Sequence, residues 1–310
     1  MKEVNNENMP GFEPTADGIK DICNYALEDS DLDAMLPVFL GDVSKNDFGR
    51  VAIVAGSARY PGAAALCANA AVRAGAGVVY LYSTAFHASL LPEIIQVQLP
   101  ATDDGGIADE HFDQILESLS QKTAIAIGPG LGTNAGTMRM CDRLINGTEI
   151  EEWNSDYQKF KSRPLIVDAD ALRVITNDRY YSDRKIVLTP HINEFSRMTG
   201  IHQDYIDYTH ADKFAKKTGT VVHLKGKPSI TTDGDRRIWN NRGNSGLSTG
   251  GSGDVLTGIA LTYLGLGIEH FEAAALASFA HTKTAELYAA KYKRTLAFSP
   301  SDIIEYLRYI

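Results

Sequence analysis

Residues 241–258 read NRGNSGLSTGGSGDVLTG, six glycines in eighteen positions with Asp254 as the one carboxylate. Beyond Asp254 the chain is apolar at Val255, Leu256, Ile259, Ala260, Tyr263 and Leu264, the spacing of one helical face. Gly250, Gly251 and Gly253 can take positive φ and bring successive backbone N–H groups to one point. The helix that follows adds the positive end of its dipole. The pattern suits an anion hole for the transferring phosphate of a nucleotide, with Asp254 in reach as general base for an attacking hydroxyl. The alternative is plain helix capping, with Ser252 as N-cap and Asp254 in the first turn, although capping needs no run of glycines.

Upstream of this turn, short β-branched runs recur: RVAIVA (50–55), VVYLY (78–82), TAIAI (123–127), PLIV (164–167), KIVL (185–188) and TVVHL (220–224). They are apolar on both sides, as parallel strands covered on both faces are. A later pair, 228–232 and 236–240, flanks Asp233-Gly234-Asp235 and predicts a hairpin. Helical stretches lie between and after the runs: alanine-rich 62–74, then 254–264, 269–291 and 300–309. The alternation predicts a three-layer α/β/α fold with a mainly parallel central sheet. Residues 1–35 predict an irregular or weakly helical N-terminal extension, and residues 36–310 a single domain.

The unusual residues fall where such strands end, and ligands bind there in open α/β sheets. Gly56-Ser57 and Pro61-Gly62-Ala63 follow the first run, and GPGLG (128–132) follows TAIAI. Asp168-Ala169-Asp170 follows PLIV. Thr189-Pro190-His191, with Glu194, follows KIVL, and Lys225-Gly226-Lys227 follows TVVHL. Four of these have a plainer reading. GPGLG can be a tight turn, His191 a hydrogen-bonded core histidine, Glu194 a first-turn residue and Lys225 a surface charge. No Walker or G-x-G-x-x-G pattern is present in a suitable context. His87, His111, His202, His210 and His281 have no metal-ligand spacing.

Composition sets the outer limits. The chain is 44% hydrophobic and 22% charged, with a net charge of −9, which argues against a role in coating nucleic acid. Cys23, Cys67 and Cys141 suggest neither a disulfide framework nor a zinc site. With no secretory signal and no apolar run of the roughly 18 residues a membrane span needs, the expected setting is the cytoplasm, away from membranes.

The segments AGSARYPGAA, GPGLGT, VDADAL, LTPHINEF, LKGKPSITTDG and GNSGLSTGGSGDVLTGI occur in this order. Over residues 36–310 they resemble the ADP/ATP-dependent NAD(P)H-hydrate dehydratases of the ribokinase-like superfamily. The resemblance implies repair of NADHX and NADPHX to NADH and NADPH, with ADP (or ATP) as co-substrate; ADP would go to AMP and phosphate. It implies that Ala63, Gly130 and His191 contact the hydrated cofactor and that Asp254 lies at the reacting hydroxyl. Lys225, Gly226, Lys227, Pro228 and Ser229 would hold the adenine nucleotide with Gly250, Gly251 and Gly253, and Asn244 and Gly246 would line the same site. Mg²⁺ would bridge phosphates, with Glu194 or Asp168 acting through water. A homo-oligomer, often a tetramer, is implied. Too few residues precede the domain for the epimerase that many members carry, so a separate NAD(P)HX epimerase is expected. His191, where many sugar kinases have Asn, points to the bacterial ADP-dependent type. The alternatives are a ribokinase-like kinase of a small vitamin-precursor alcohol and a non-catalytic nucleotide sensor.

Overall fold

In the computed structural model, residues 1–3, 23–39, 41–108, 112–181 and 183–310 are described. His111 and much of the N-terminal extension lie outside them. The strands are β1 (Lys2–Glu3), β2 (Cys23–Ala26), β3 (Arg50–Val54), β4 (Val78–Ser83), β5 (Ile95–Gln98), β6 (Ala124–Ile127), β7 (Leu165–Val167), β8 (Ile186–Leu188), β9 (Val221–Leu224), β10 (Ser229–Thr232) and β11 (Arg236–Asn240). The helices are α1 (Asp29–Met35), α2 (Pro61–Arg73), α3 (Phe112–Ser120), α4 (Ala135–Asn146), α5 (Ser155–Lys161), α6 (Ile192–Thr199), α7 (Tyr208–Thr218), α8 (Ser252–Gly265), α9 (His270–Tyr292) and α10 (Pro300–Tyr306).

The strands form one sheet in the order β1-β2-β11-β10-β9-β8-β7-β6-β3-β4-β5. Pairing is parallel from β9 through to β5, and β10 and β11 form the antiparallel hairpin that Asp233-Gly234 predicts. From β3 the chain moves outward to β4 and β5, then returns to β6 on the other side of β3. This reversal makes the topological switch point at which open sheets bind ligands.

Alternation along β3 explains the layers. Val51 and Ile53 point to a core shared with α2, α8, α9 and α10. Ala52 and Val54 point to a second core under α3 to α7. Both faces are therefore buried, as the two-sided apolar runs require. The alanines of α2 allow α8 to pack very close: a Cβ added at Gly258 would lie 2.2 Å from the Cys67 carbonyl oxygen.

Part of the N-terminal stretch joins this frame. β2 pairs in parallel with β11, and Leu32 of α1 is buried in the first core. The Asn24 side-chain oxygen accepts from Arg237 and from the indole of Trp239, both at 3.0 Å. The edge strand β5 has mostly exposed side chains, so its sequence IQVQ lacks the apolar signature of the interior strands. Among the described residues no helix is long and apolar enough to cross a membrane.

Candidate active site

The loops after β3 and β6 interlock at the switch point. The Gly56 N–H donates to the Pro129 carbonyl at 2.8 Å, and the Gly128 N–H to that of Val54 at 3.1 Å. The Ser57 hydroxyl donates to the Gly130 carbonyl at 2.9 Å. Gly130 has φ +62°, and a Cβ there would lie 2.8 Å from that of Ala63. The two residues expected to share a substrate surface are thus in contact range. Asp170, three residues beyond β7, accepts the Gly132 N–H at 2.8 Å and lines a cleft of 490 Å³ with Tyr60, Arg59 and Arg173.

A buried charge cluster lies beside this loop pair. Lys225 Nζ is 2.9 Å from Asp168 Oδ1 and 3.9 Å from Glu194 Oε2. The other Asp168 oxygen accepts from the Thr257 hydroxyl at 2.7 Å. Burial works against the Asp168 charge, but Lys225 outweighs it and holds the carboxyl below its usual range. Burial likewise opposes the Lys225 ammonium, and Asp168 with Glu194 raises it overall. Lys225 is therefore a fixed cation rather than a solvated surface charge. Its backbone N–H donates to the Pro190 carbonyl at 2.9 Å, tying the end of β9 to the end of β8.

Asp254 sits in the first turn of α8 against this cluster. Burial pushes its carboxyl up to about 7; Asp168 adds to the rise, and Lys225 opposes it. A carboxylate poised near neutrality is suited to proton transfer.

The turn before Asp254 differs in detail from its sequence reading. Of the three glycines, Gly251 alone takes positive φ, at +93°, while Gly250 and Gly253 do not. Only the N-cap residue has to reverse the chain, since Gly253 is already inside the helix. Its missing side chain instead leaves room for the Lys225 ammonium, which would lie 3.3 Å from a Cβ there. Ser252 is not the cap: Gly251 is, with no side-chain cap bond, and the Ser252 hydroxyl meets His281 Nε2 at 3.1 Å. The first amides of α8 therefore donate to no side-chain cap, and that of Ser252 donates to the Thr249 carbonyl at 3.3 Å.

A cleft of 840 Å³ leads from this helix start. Lys225, Gly226, Lys227, Ser229, Asn244 and Gly253 line it, together with His191. Pro228, Gly250 and Gly251 flank it in sequence without lining it. Asn244 also caps a short turn, accepting the Gly246 N–H at 3.0 Å. Lys227 donates to the Gly243 carbonyl at 2.9 Å across the mouth. The deep wall holds His223 and His281, which burial depresses to about 3 and about 4, so both are neutral. His191 is more exposed and caps α6 through Nδ1, while Glu194 Oε2 accepts the His191 backbone N–H at 2.8 Å. Burial lowers His191 as well, against the pull of Glu194.

Thr257 escaped the sequence reading, and Asp170 was named there without a role. Thr257 is three residues after Asp254 on the same helical face, a spacing that was open to view. Asp170 belongs to the quoted VDADAL, but nothing local separates its role from that of Asp168.

The fold and this site define a ribokinase-like α/β protein with an acid poised at a glycine-rich helix start. A ribokinase-like superfamily protein from Enterococcus faecalis superposes with a TM-score of 0.76 over 92% of this chain and 94% of that one, at 22% identity. More specifically, residues 51–308 match the NAD(P)H-hydrate dehydratase family model, and the chain belongs to that family. It is 34% identical over 276 residues to an ADP-dependent (S)-NAD(P)H-hydrate dehydratase of Xanthomonas campestris, covering 86% of this chain and 89% of that one. An ADP/ATP-dependent NAD(P)H-hydrate dehydratase from Bacillus subtilis, co-crystallized with ATP/Mg²⁺, superposes with a TM-score of 0.72 at 26% identity, over 94% and 98% of the two chains. The bifunctional NAD(P)H-hydrate repair enzyme Nnr of Thermofilum pendens is 34% identical over 265 residues, 82% of this chain but 48% of that one. The chain thus spans about half the length of the bifunctional relatives it matches.

Proposed function

We propose that this chain is an ADP-dependent (S)-NAD(P)H-hydrate dehydratase that returns NADHX and NADPHX to NADH and NADPH while ADP becomes AMP and phosphate. The observation that carries the reading is Asp254, raised to about 7 beside the uncapped amides of α8 and the fixed ammonium of Lys225. In this reading the 840 Å³ cleft takes the adenine nucleotide, and the contact between Ala63 and Gly130 faces the hydrated ring. Hydroxide is a poor leaving group. Asp254 accepts the ring hydroxyl proton as that oxygen attacks the terminal phosphorus of ADP, and AMP departs. The ring nitrogen then pushes its electron pair in, the C–O bond breaks with loss of phosphate, and a proton leaves the adjacent ring carbon. The α8 amides and Lys225 stabilise charge on the moving phosphoryl group.

Mg²⁺ belongs to the same reading. Both Asp168 oxygens are engaged by Lys225 and Thr257, and Glu194 Oε2 holds the His191 amide. Among the described residues no group of three His, Cys, Asp or Glu side chains could hold a metal. These donors fit a cation carried in on the nucleotide's phosphates and reached by Glu194 through water, not a protein-built cage. Bound there, it would neutralise phosphate charge. A homo-oligomer in the cytoplasm completes the proposal, supported by the family resemblance alone.

Incubating the purified chain with NADHX and ADP, or ATP in parallel, tests it. The absorbance of reduced nicotinamide should recover, faster with ADP. No recovery, with phosphorylation of a vitamin-precursor alcohol instead, would replace this reading with the kinase one.

A further inference from the structure

At the opposite edge of the sheet, where β7 and β8 begin, a polar cavity of 600 Å³ lies between the ends of α4 and α5 and the turn before β8. Its cations are Lys161, Arg179 and Arg184. Arg184 is 5% exposed. Its Nη1 donates to the carbonyls of Leu144, at 3.2 Å, and Ile145 in the last turn of α4. Its guanidinium carbon lies 5.3 Å from the centre of the Phe160 ring. Its Nε and Nη2 are buried and have no hydrogen-bond partner among the described residues. Among the described residues no carboxylate is within ion-pair distance of Arg184: the adjacent Asp183 pairs with Lys161, and Glu152 sits exposed at the rim.

The three cations converge on one wall. Burial raises the Tyr157 hydroxyl, and Arg184, Lys161 and Arg179 all pull it back. A buried guanidinium held only by neutral carbonyls is costly to fold, and the cost is recovered when an anion supplies the missing charge. Arginine forks match the tetrahedral oxygens of phosphate, and the three cations outnumber the two carboxylates of the lining, Asp183 and Glu152. Tyr180 on the lining adds an exposed aromatic face that a base could stack on.

We propose that this cavity is a second ligand site, remote from Asp254, that binds a phosphate-bearing anion, with Arg179 and Lys161 as its reachable donors and Arg184 as the buried counter-charge. The two tryptophans make it measurable. Trp153 is 79% exposed and follows Glu152 of the rim, whereas Trp239 is buried in β11. Inorganic phosphate titrated into the full chain at constant ionic strength should change the fluorescence saturably, and Trp153→Phe should abolish the change. Arg179→Gln, at the surface, and Arg184→Gln, in the wall, should each raise the midpoint about tenfold or more. Asp254→Asn should leave it unmoved. A non-saturating response, a response that survives Trp153→Phe, or an unshifted midpoint in Arg179→Gln overturns the proposal. AMP titrated the same way separates the sources: a midpoint below that of phosphate assigns the site to a nucleotide, and one above it assigns the site to free phosphate.

Discussion

Helices α6 and α8 both start at the C-terminal edge of the sheet, yet their first turns are completed differently. In α6, His191 Nδ1 accepts the amides of Asn193 and Glu194 at 3.1 and 3.3 Å, and Glu194 returns a bond to the His191 N–H. In α8 the N-cap is a left-handed glycine, and the hydroxyl next to it is turned to His281. α6 satisfies its orphan donors with its own side chains, while α8 has no side-chain cap and is held by burial of Val255, Ile259 and Leu261 instead. A helix N-terminus binds an anion when its own side chains do not already use it.

The largest effect is expected at α8. Asp254→Asn should lower kcat by roughly 10²–10⁴, the usual share of a general base. The same variant should be more stable at pH 8. The folded carboxyl titrates near 7 rather than at its usual value of 3.8, so the folded chain holds a proton that the unfolded chain releases between these limits. Stability is therefore lost as pH rises through that window, by at most about 4 kcal/mol, and Asn removes the loss. Thermal melts at pH 8 and pH 4 check this: the variant's advantage should close at the lower pH.

In the wild type, kcat/KM should fall about tenfold per pH unit below about 7 and level off above it, since Asp254 must be ionised to accept a proton. A limb near pH 4 would place the charge in a solvated setting and erase the distinction between the two helix starts.

A smaller change is expected from Gly251→Ala, which adds a Cβ 2.4 Å from Leu66 Cδ1 at φ +93°. The left-handed strain costs roughly 1–2 kcal/mol. KM for ADP should rise about tenfold at most, with kcat changed less; kinetics at varied ADP measure the split. Gly200→Ala at the far end of α6, with φ +75° and open space around it, should lower stability alone.

The smallest effect separates the α6 cap made by His191 from its proposed contact with the hydrated cofactor. His191→Ala should destabilise the fold by about 1 kcal/mol through loss of the α6 cap, while His191→Asn keeps a cap. Both should raise KM for the hydrated cofactor. Urea melts paired with kinetics at varied NADHX distinguish cap from contact.

The interior strands, the Asp-Gly hairpin and helices α2, α8 and α9 were legible within one or two residues, because each carries a strong periodic or turn signal; α10 ends three residues before its expected limit. β2 and β5 were not. CNYA and IQVQ are short edge segments without an apolar run, and their place depends on the partners they meet. Of the site, the loops that meet at the strand ends were legible as a set. The glycine run pointed to an open start for α8, with a Ser252 cap as the alternative; that the Ser252 hydroxyl is turned to His281 was not legible, because His281 is far away in sequence.

Local chemistry was enough to set the α/β alternation, the loops that carry the site and the candidacy of Asp254. These rest on backbone preferences and on the spacing of neighbours along the chain. Folding in three dimensions settled the rest: the Lys225–Asp168–Thr257 chain, the rise of Asp254 to about 7 and the isolation of Arg184. Charge, burial and hydrogen bonding act through space between residues far apart in sequence, so no window of the chain contains them.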